Sequence, residues 1–172
     1  MKNPMALADP GQPIEIPVSL ASQKVDYECE LVVVIGKVCK NVKRPDALDC
    51  VLGYTCGNDV SAREWQRGDL QWWRGKSSDT FAPFGPFIVT GLDPSKLDLR
   101  CRINGKEVQG TSTSALFFDV PTLVSFISQV VTMEPGDLIY TGTPGTPGAI
   151  NAGDLIEIEI SVIGVLRNAV VA

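Results

Sequence analysis

Sixteen glycines and twelve prolines punctuate the 172 residues, so few stretches run long enough for an extended helix before a breaker falls. Such a chain suits many short strands joined by tight turns, and the expectation is a mainly β (α+β) fold with a few short helices. Apolar residues make up 44% of the sequence, enough for one ordinary domain core, and global disorder is ruled out. The longest apolar run, Leu31 to Ile35, falls far short of the roughly 20 residues that a membrane-spanning helix needs. A net charge of −5 repels nucleic acid and anionic membranes, so neither is expected as a partner. Met1 to Met5 include a proline and no apolar signal core, which predicts an intracellular, cytoplasmic protein, with a mitochondrial address left open.

The sequence contains no histidine, which removes the commonest general base and metal ligand and every Ser-His-Asp or Cys-His arrangement. Chemistry here must come from carboxylates, lysine, arginine or bound water. Cysteines at 29, 39, 50, 56 and 101 are odd in number and form no Cys-x-x-Cys pair, which argues against a disulfide framework and a zinc cluster. Buried free thiols are expected.

Residues 1–24 carry Pro4, Pro10, Pro13 and Pro17 and read as an extended, irregular lead-in, with one domain over 25–172. Val25 to Gly36 alternates apolar with acidic residues and then becomes β-branched, the strongest strand pattern of the first half. Short helices are expected over Pro45–Val51 and over the segment from Asp59 to Gln66, where Ser61 and Glu64 have capping-box spacing. Gly68 to Pro86 lacks periodicity and reads as a long ordered loop. Leu99–Ile103, Asn104-Gly105 and Lys106–Gln109 spell a hairpin with a type I′ turn. Pro121–Val131 has helical spacing behind an N1-type proline, Asp137–Tyr140 reads as an apolar strand, and Asp154–Val162 alternates with isoleucines inward and glutamates outward.

On a strand, Asp26, Glu28 and Glu30 share one face, with carboxylates about 7 Å apart. They form either an exposed acidic edge or, since Val32 and Val34 continue the same face, a cluster near the interior that requires a cation between them. Asp59 is the best candidate for a further oxygen ligand, its alternative role being a plain helix N-cap. A carboxylate-only site selects a hard ion, Mg²⁺ first and Mn²⁺ or Ca²⁺ next. Helical spacing stacks Asp59, Arg63 and Gln66 on one side, placing a cation and an amide where an anionic substrate would sit. Arg63 could equally be a surface ion-pair partner of Asp59. Lys76 lies among Trp72, Trp73, Phe81 and Phe84 and is either solvated or desolvated, the latter lowering its pKa toward a catalytic range. Gly75-Lys76-Ser77 is no phosphate loop, because residue 70 is leucine where the pattern requires glycine. Thr141-Gly142-Thr143-Pro144-Gly145 is an ordinary turn or a set of hydroxyl and N–H donors for a carboxylate.

Taken together, four ordered stretches resemble the fumarylacetoacetate hydrolase superfamily. They are Val25-Asp26-Tyr27-Glu28-Cys29-Glu30-Leu31, Gly53-Tyr54-Thr55 with Asn58 to Arg63, Gly75 to Pro83, and Glu134-Pro135-Gly136-Asp137 with Thr141-Gly142-Thr143-Pro144. The resemblance implies a mixed β-sandwich roll, usually a homodimer, with Mg²⁺ on Glu28, Glu30 and Asp59. It places Arg63, Gln66 and Lys76 around the substrate, and Thr143, beside Gly142, on the substrate's carboxylate end. The wording of residues 59–66 is most similar to the branch of oxaloacetate tautomerases and related isomerases or decarboxylases. The implied activity is on 1,3-dicarbonyl acids such as oxaloacetate or acylpyruvates, through an enolate, by tautomerisation, decarboxylation or C–C hydrolysis. Members of the superfamily usually carry an N-terminal segment whose His and Glu activate water, and this sequence resembles the pattern only from its middle onward. The expectation is a fragment or a truncated chain in which enolisation and decarboxylation are favoured over hydrolysis. The alternative is a catalytically silent metal-binding or oligomer-forming core. Thr146-Pro147 stands where Gly-Val is usual, which reshapes the turn after Thr143.

Overall fold

The computed structural model describes residues 1–18 and 24–172. Twelve strands are described in it: β1 (Leu7–Ala8), β2 (Ile14–Glu15), β3 (Val25–Asp26), β4 (Cys29–Ile35), β5 (Val51–Asn58), β6 (Ser61–Ala62), β7 (Ala82–Val89), β8 (Asp98–Ile103), β9 (Lys106–Ser112), β10 (Leu138–Tyr140), β11 (Leu155–Ile160) and β12 (Gly164–Val171). Three short α-helices accompany them: α1 (Arg63–Gly68), α2 (Trp73–Lys76) and α3 (Val120–Val130). One sheet runs β1-β7-β5-β4-β10, a second runs β2-β12-β11-β8-β9, and β3 pairs with β6. Both five-stranded sheets are mixed, because β1 joins β7 and β2 joins β12 in parallel while their other pairings are antiparallel.

The two sheets face each other across one core. Leu31, Val33 and Ile35 of β4 and Tyr54 and Cys56 of β5 share a buried cluster with Ile156, Ile158 and Ile160 of β11, Leu99 and Cys101 of β8 and Leu166 of β12. Strand alternation accounts for this, since every second residue of each strand points to the same face. β4 lies between β5 and β10, and its second face is buried too, with Glu30, Val32 and Val34 all nearly inaccessible. All five cysteines are free and buried. No helix among the described residues is long and apolar enough to cross a membrane.

Several local expectations hold. Asn104 and Gly105 both have positive φ, as a type I′ turn requires, and they join β8 to β9. Asp119 caps α3 by accepting from the Thr122 amide at 3.0 Å, with Pro121 in the first turn. Others are revised. The Pro45 helix is a 3₁₀ segment, Arg44–Cys50, and the Asp59–Gln66 helix begins only at Arg63. Ser61 lies in β6, and its hydroxyl donates to the Asp59 carbonyl rather than closing a capping box. The Gly68–Pro86 loop contains α2 and the start of β7, because Lys76 and Phe81 are drawn into the interior. The single strand over 25–36 is interrupted at Tyr27 and Glu28, whose amides leave the ladder for Gly148 O and Asn58 Oδ1. The lead-in is extended but paired, with β1 and β2 adding to the two sheets and Ala6, Ala8 and Ile14 buried; its end, residues 19–23, lies outside the described residues. Glu157 and Glu159 are half-buried rather than exposed, because Arg167 and Arg102 cover them at 2.7 and 2.5 Å.

Replacing Ile158 by alanine removes a side chain at the meeting of the two sheets and is expected to cost about 3 kcal/mol in urea unfolding. Glu159→Ala breaks only a half-exposed pair with Arg102 and should cost less than about 1 kcal/mol. Equal losses would contradict this location of the core.

Candidate metal centre and its comparisons

The antiparallel register of β4 and β5 sets Cys29 opposite Asn58 and Glu30 opposite Gly57. The pair closes with the Asp59 amide donating to Glu28 O at 2.9 Å and the Glu28 amide donating to Asn58 Oδ1 at 2.9 Å. These bonds bring two residues far apart in sequence to one corner. One carboxylate oxygen from each of Glu28, Glu30 and Asp59 lies within 4.8 Å of the others. Gly57 is required there, since a Cβ would collide with Val32 Cγ2 and meet Tyr140 Cε1 at 2.7 Å. Tyr140 is itself anchored by its hydroxyl, which donates to the Ala82 and Pro83 carbonyls at 3.2 Å.

Four cations meet the cluster, one of them the half-exposed Lys24, whose Nζ lies 3.5 Å from Asp26 Oδ2. Arg63 donates from Nε to Asp26 Oδ2 at 2.8 Å, from Nη2 to Glu28 Oε1 at 2.6 Å and from Nη1 to Gln66 Oε1 at 2.8 Å. Lys76 Nζ bridges Glu28 Oε2 and Asp59 Oδ2, both at 2.8 Å. Lys2 Nζ lies 2.7 Å from Asp59 Oδ1 and donates to the carbonyls of Val60 at 3.1 Å, Phe81 at 2.6 Å and Lys76. Among the described residues Glu30 takes no cation; its Oε2 accepts from the Gly142 amide at 2.6 Å.

The electrostatics follow from this count. Asp26, Glu28, Glu30 and Asp59 bring four negative charges against the four positive ones of Lys2, Lys24, Arg63 and Lys76, so the cluster is formally neutral. Burial, and then the neighbouring Asp59, push the Glu30 carboxyl up to about 8. Burial lowers the Lys2 ammonium below its ordinary range despite the Asp59 charge beside it. For Lys76 burial works the same way, but Asp59 and Glu28 outweigh it and the net shift is upward. Arg63 is likewise raised, Asp26 and Glu28 overcoming burial.

A hard divalent cation fits this arrangement. The donors are all carboxylate oxygens, the geometry converges three of them, and the Asp59 charge that adds to burial in raising Glu30 is one such an ion would neutralise. Asp59 Oδ1 is buried and has an ion pair but no aligned hydrogen bond among the described residues, leaving it able to serve as a ligand.

The structure brings Glu28, Glu30, Asp59, Arg63, Gln66 and Lys76 together, with roles that differ in detail from the helical picture. Asp59 precedes α1 and caps no helix, and Arg63 pairs with Asp26 and Glu28 rather than with Asp59. Lys76 is neither solvated nor lowered in pKa, and the expected aromatic cage is partial, since Trp72 and Trp73 are more than half exposed. Gly142 spends its N–H on Glu30, while Thr143 Oγ1 accepts from Gln109 Nε2 at 3.0 Å. Sequence reasoning missed Lys2, Asn58 and Gln109. Nothing periodic marks Lys2, which reaches a carbonyl 58 residues away.

Removing the Lys2 ammonium leaves Asp59 with one counter-charge instead of two. Lys2→Ala should therefore cost about 3 kcal/mol in urea unfolding, and added Mg²⁺ should recover some of the loss. A cost below about 1 kcal/mol would mean that Lys2 is only a surface pair.

The family model of the fumarylacetoacetate (FAA) hydrolase C-terminal domain matches residues 1–171. The chain is 44% identical over 178 residues to the mitochondrial oxaloacetate tautomerase of Xenopus laevis, covering 96% of this chain and 55% of that protein. The crystal structure of 5-carboxymethyl-2-hydroxymuconate delta-isomerase from Mycobacterium smegmatis is 48% identical with a TM-score of 0.94, over 97% of this chain and 66% of that one. Maleylpyruvate hydrolase from Sphingobium sp. SYK-6, solved with manganese(II) and pyruvate, is 36% identical with a TM-score of 0.91, over 99% and 62% of the two chains. The chain thus spans less than two thirds of the length of these relatives. With a family model running through both sheets and the acidic corner, the chain belongs to the fumarylacetoacetate hydrolase family, corresponding to its C-terminal domain.

Proposed function

We propose that the cluster of Glu28, Glu30 and Asp59 holds Mg²⁺, with Mn²⁺ or Ca²⁺ as substitutes, and that the protein acts on 1,3-dicarbonyl acids such as oxaloacetate or acylpyruvates. The observation that carries the reading is the convergence of three carboxylate oxygens within 4.8 Å, with cations placed around them. When bound, the ion would chelate the α-keto acid oxygens and stabilise the enolate formed by proton loss or decarboxylation. Binding it would also take the formally neutral cluster to a net positive charge, so that an anionic keto acid is attracted to the loaded site.

The chain's own residues have distinct tasks in this reading. Arg63 gives three of its donors to Asp26, Glu28 and Gln66 and so fixes the orientation of Glu28. Gln66 has its oxygen committed to Arg63, leaving its Nε2 to donate to a substrate oxygen. Lys76 holds a proton between Glu28 and Asp59 and is the partner for proton transfer at the enolate. Thr143 accepts from Gln109 and keeps its own O–H for the substrate carboxylate, with Gly142 as the neighbouring backbone. Tautomerisation or decarboxylation is the favoured chemistry, C–C hydrolysis the less favoured, and the proposal includes a homodimer. The names of the Xenopus and Mycobacterium relatives, a tautomerase and an isomerase, support this order. The absence of histidine supports a second reading, a catalytically silent metal-binding or oligomer-forming core.

The test is oxaloacetate consumption, with keto–enol interconversion followed in the ultraviolet, in Mg²⁺ and in chelator. Turnover that needs Mg²⁺ and falls at least about 100-fold in Glu30→Ala is expected. Measurable Mg²⁺ binding without turnover would favour the silent core.

A further inference from the structure

Gln109 lies on β9, in the sheet that does not carry the acidic corner, and is only 6% exposed. Its side chain reaches across to the other sheet. Oε1 accepts from the Cys29 amide at 3.2 Å, and Nε2 donates to Thr143 Oγ1 at 3.0 Å and to the Pro144 carbonyl at 2.5 Å. Cys29 is the residue between Glu28 and Glu30. A carboxamide has its acceptor at one end and its donors at the other, so an N–H on one side and a carbonyl on the other fix which way it points.

We propose that Gln109 is a positioning residue that sets the Thr143–Pro144 turn at a fixed distance from the acidic strand, and so matches the substrate's carboxylate end to the metal centre. The inference rests on the proposed function, in which Thr143 takes that carboxylate. The turn needs such a tie. Gly142 and Gly145 flank it with φ of 103° and 60°, conformations that leave the backbone little intrinsic preference to hold the Thr143 hydroxyl in place. Its leading end is already fixed, because Thr141 donates to Leu31 O from its amide at 3.1 Å and from its hydroxyl at 2.9 Å, and Gly142 donates to Glu30. Gln109 supplies the anchor beyond Gly142. The same carboxamide holds the backbone between the two glutamates, so a shift of the turn and a shift of Cys29 are coupled through one group. At the preceding residue, Asn58 Oδ1 anchors the Glu28 amide in the same way.

Two readouts test this. In substrate-free protein, amide hydrogen exchange over residues 141–148 should quicken about tenfold in Gln109→Ala, while α3 keeps its rate. Gln109→Glu preserves the volume and the acceptor for Cys29 but turns a donor into an oxygen facing the Pro144 carbonyl. It should loosen the same segment, which separates the hydrogen bond from a packing defect. In turnover, Gln109→Ala should raise KM for oxaloacetate about tenfold with kcat within about threefold. Combined with Thr143→Val, it should raise KM no further than Thr143→Val alone. Unchanged exchange over 141–148 in both Gln109 variants, or additive KM effects in the double variant, would overturn the proposal. If the parent protein turns over no oxaloacetate, the proposed function falls, and the exchange comparison alone decides the role of Gln109.

Discussion

Carboxylates that lie within 4.8 Å of one another in a mostly buried corner repel each other by about 3 kcal/mol per pair at an effective dielectric of about 20. The surroundings of Glu28, Glu30 and Asp59 are arranged around that repulsion. Arg63 on α1 and Lys76 at the end of α2 bring positive charge from the segment after β6, and Lys2 brings it from the start of the chain. Among the described residues Glu30 is the carboxylate of the three that takes a backbone N–H and no cation. A divalent ion would give Glu30 the counter-charge it lacks and leave the corner net positive, which is what an anionic substrate would use.

The rest of the fold serves to keep these groups in register. β4 is an interior strand of its sheet and buried on both faces, so its Glu30 cannot turn outward to water. The β4–β5 ladder delivers Asp59 to Glu28, and the empty space at Gly57 lets Tyr140 close over the pair. The hairpin of the second sheet contributes Gln109, which draws the opposing sheet into the site rather than leaving it only a lid on the core. Mixed sheets, with the lead-in as their added strands, also explain how Lys2 arrives beside Asp59. It precedes the 3₁₀ turn Pro4–Ala6 that feeds β1 alongside β7.

Much of this was legible in local chemistry. Turn residues specified the β8–β9 hairpin, Asp119 and Pro121 specified the start of α3, and alternation specified the core face of β11. The carboxylates could be singled out because Val32 and Val34 continue the face of Glu30 into an apolar interior. Contacts made across the chain were not legible. Capping spacing at Ser61 and Glu64 suggested a helix from Asp59, yet pairing of β6 with β3 held that segment extended until Arg63. Lys76 looked like a lysine in an aromatic pocket, whereas its surroundings are set by two carboxylates from other elements. Lys2 and Gln109 lack any pattern of their own, because each acts through partners that only the tertiary fold supplies.

The central claim is that this corner is built for a divalent cation rather than being a closed ion-pair network completed by its own lysines. Anomalous diffraction from a crystal of the protein soaked in Mn²⁺ tests it directly. The account predicts one strong peak per chain, ligated by Glu28, Glu30 and Asp59. Continued occupation of the corner by the Lys76 and Lys2 ammonium groups at saturating Mn²⁺, with no peak among the three carboxylates, would contradict it.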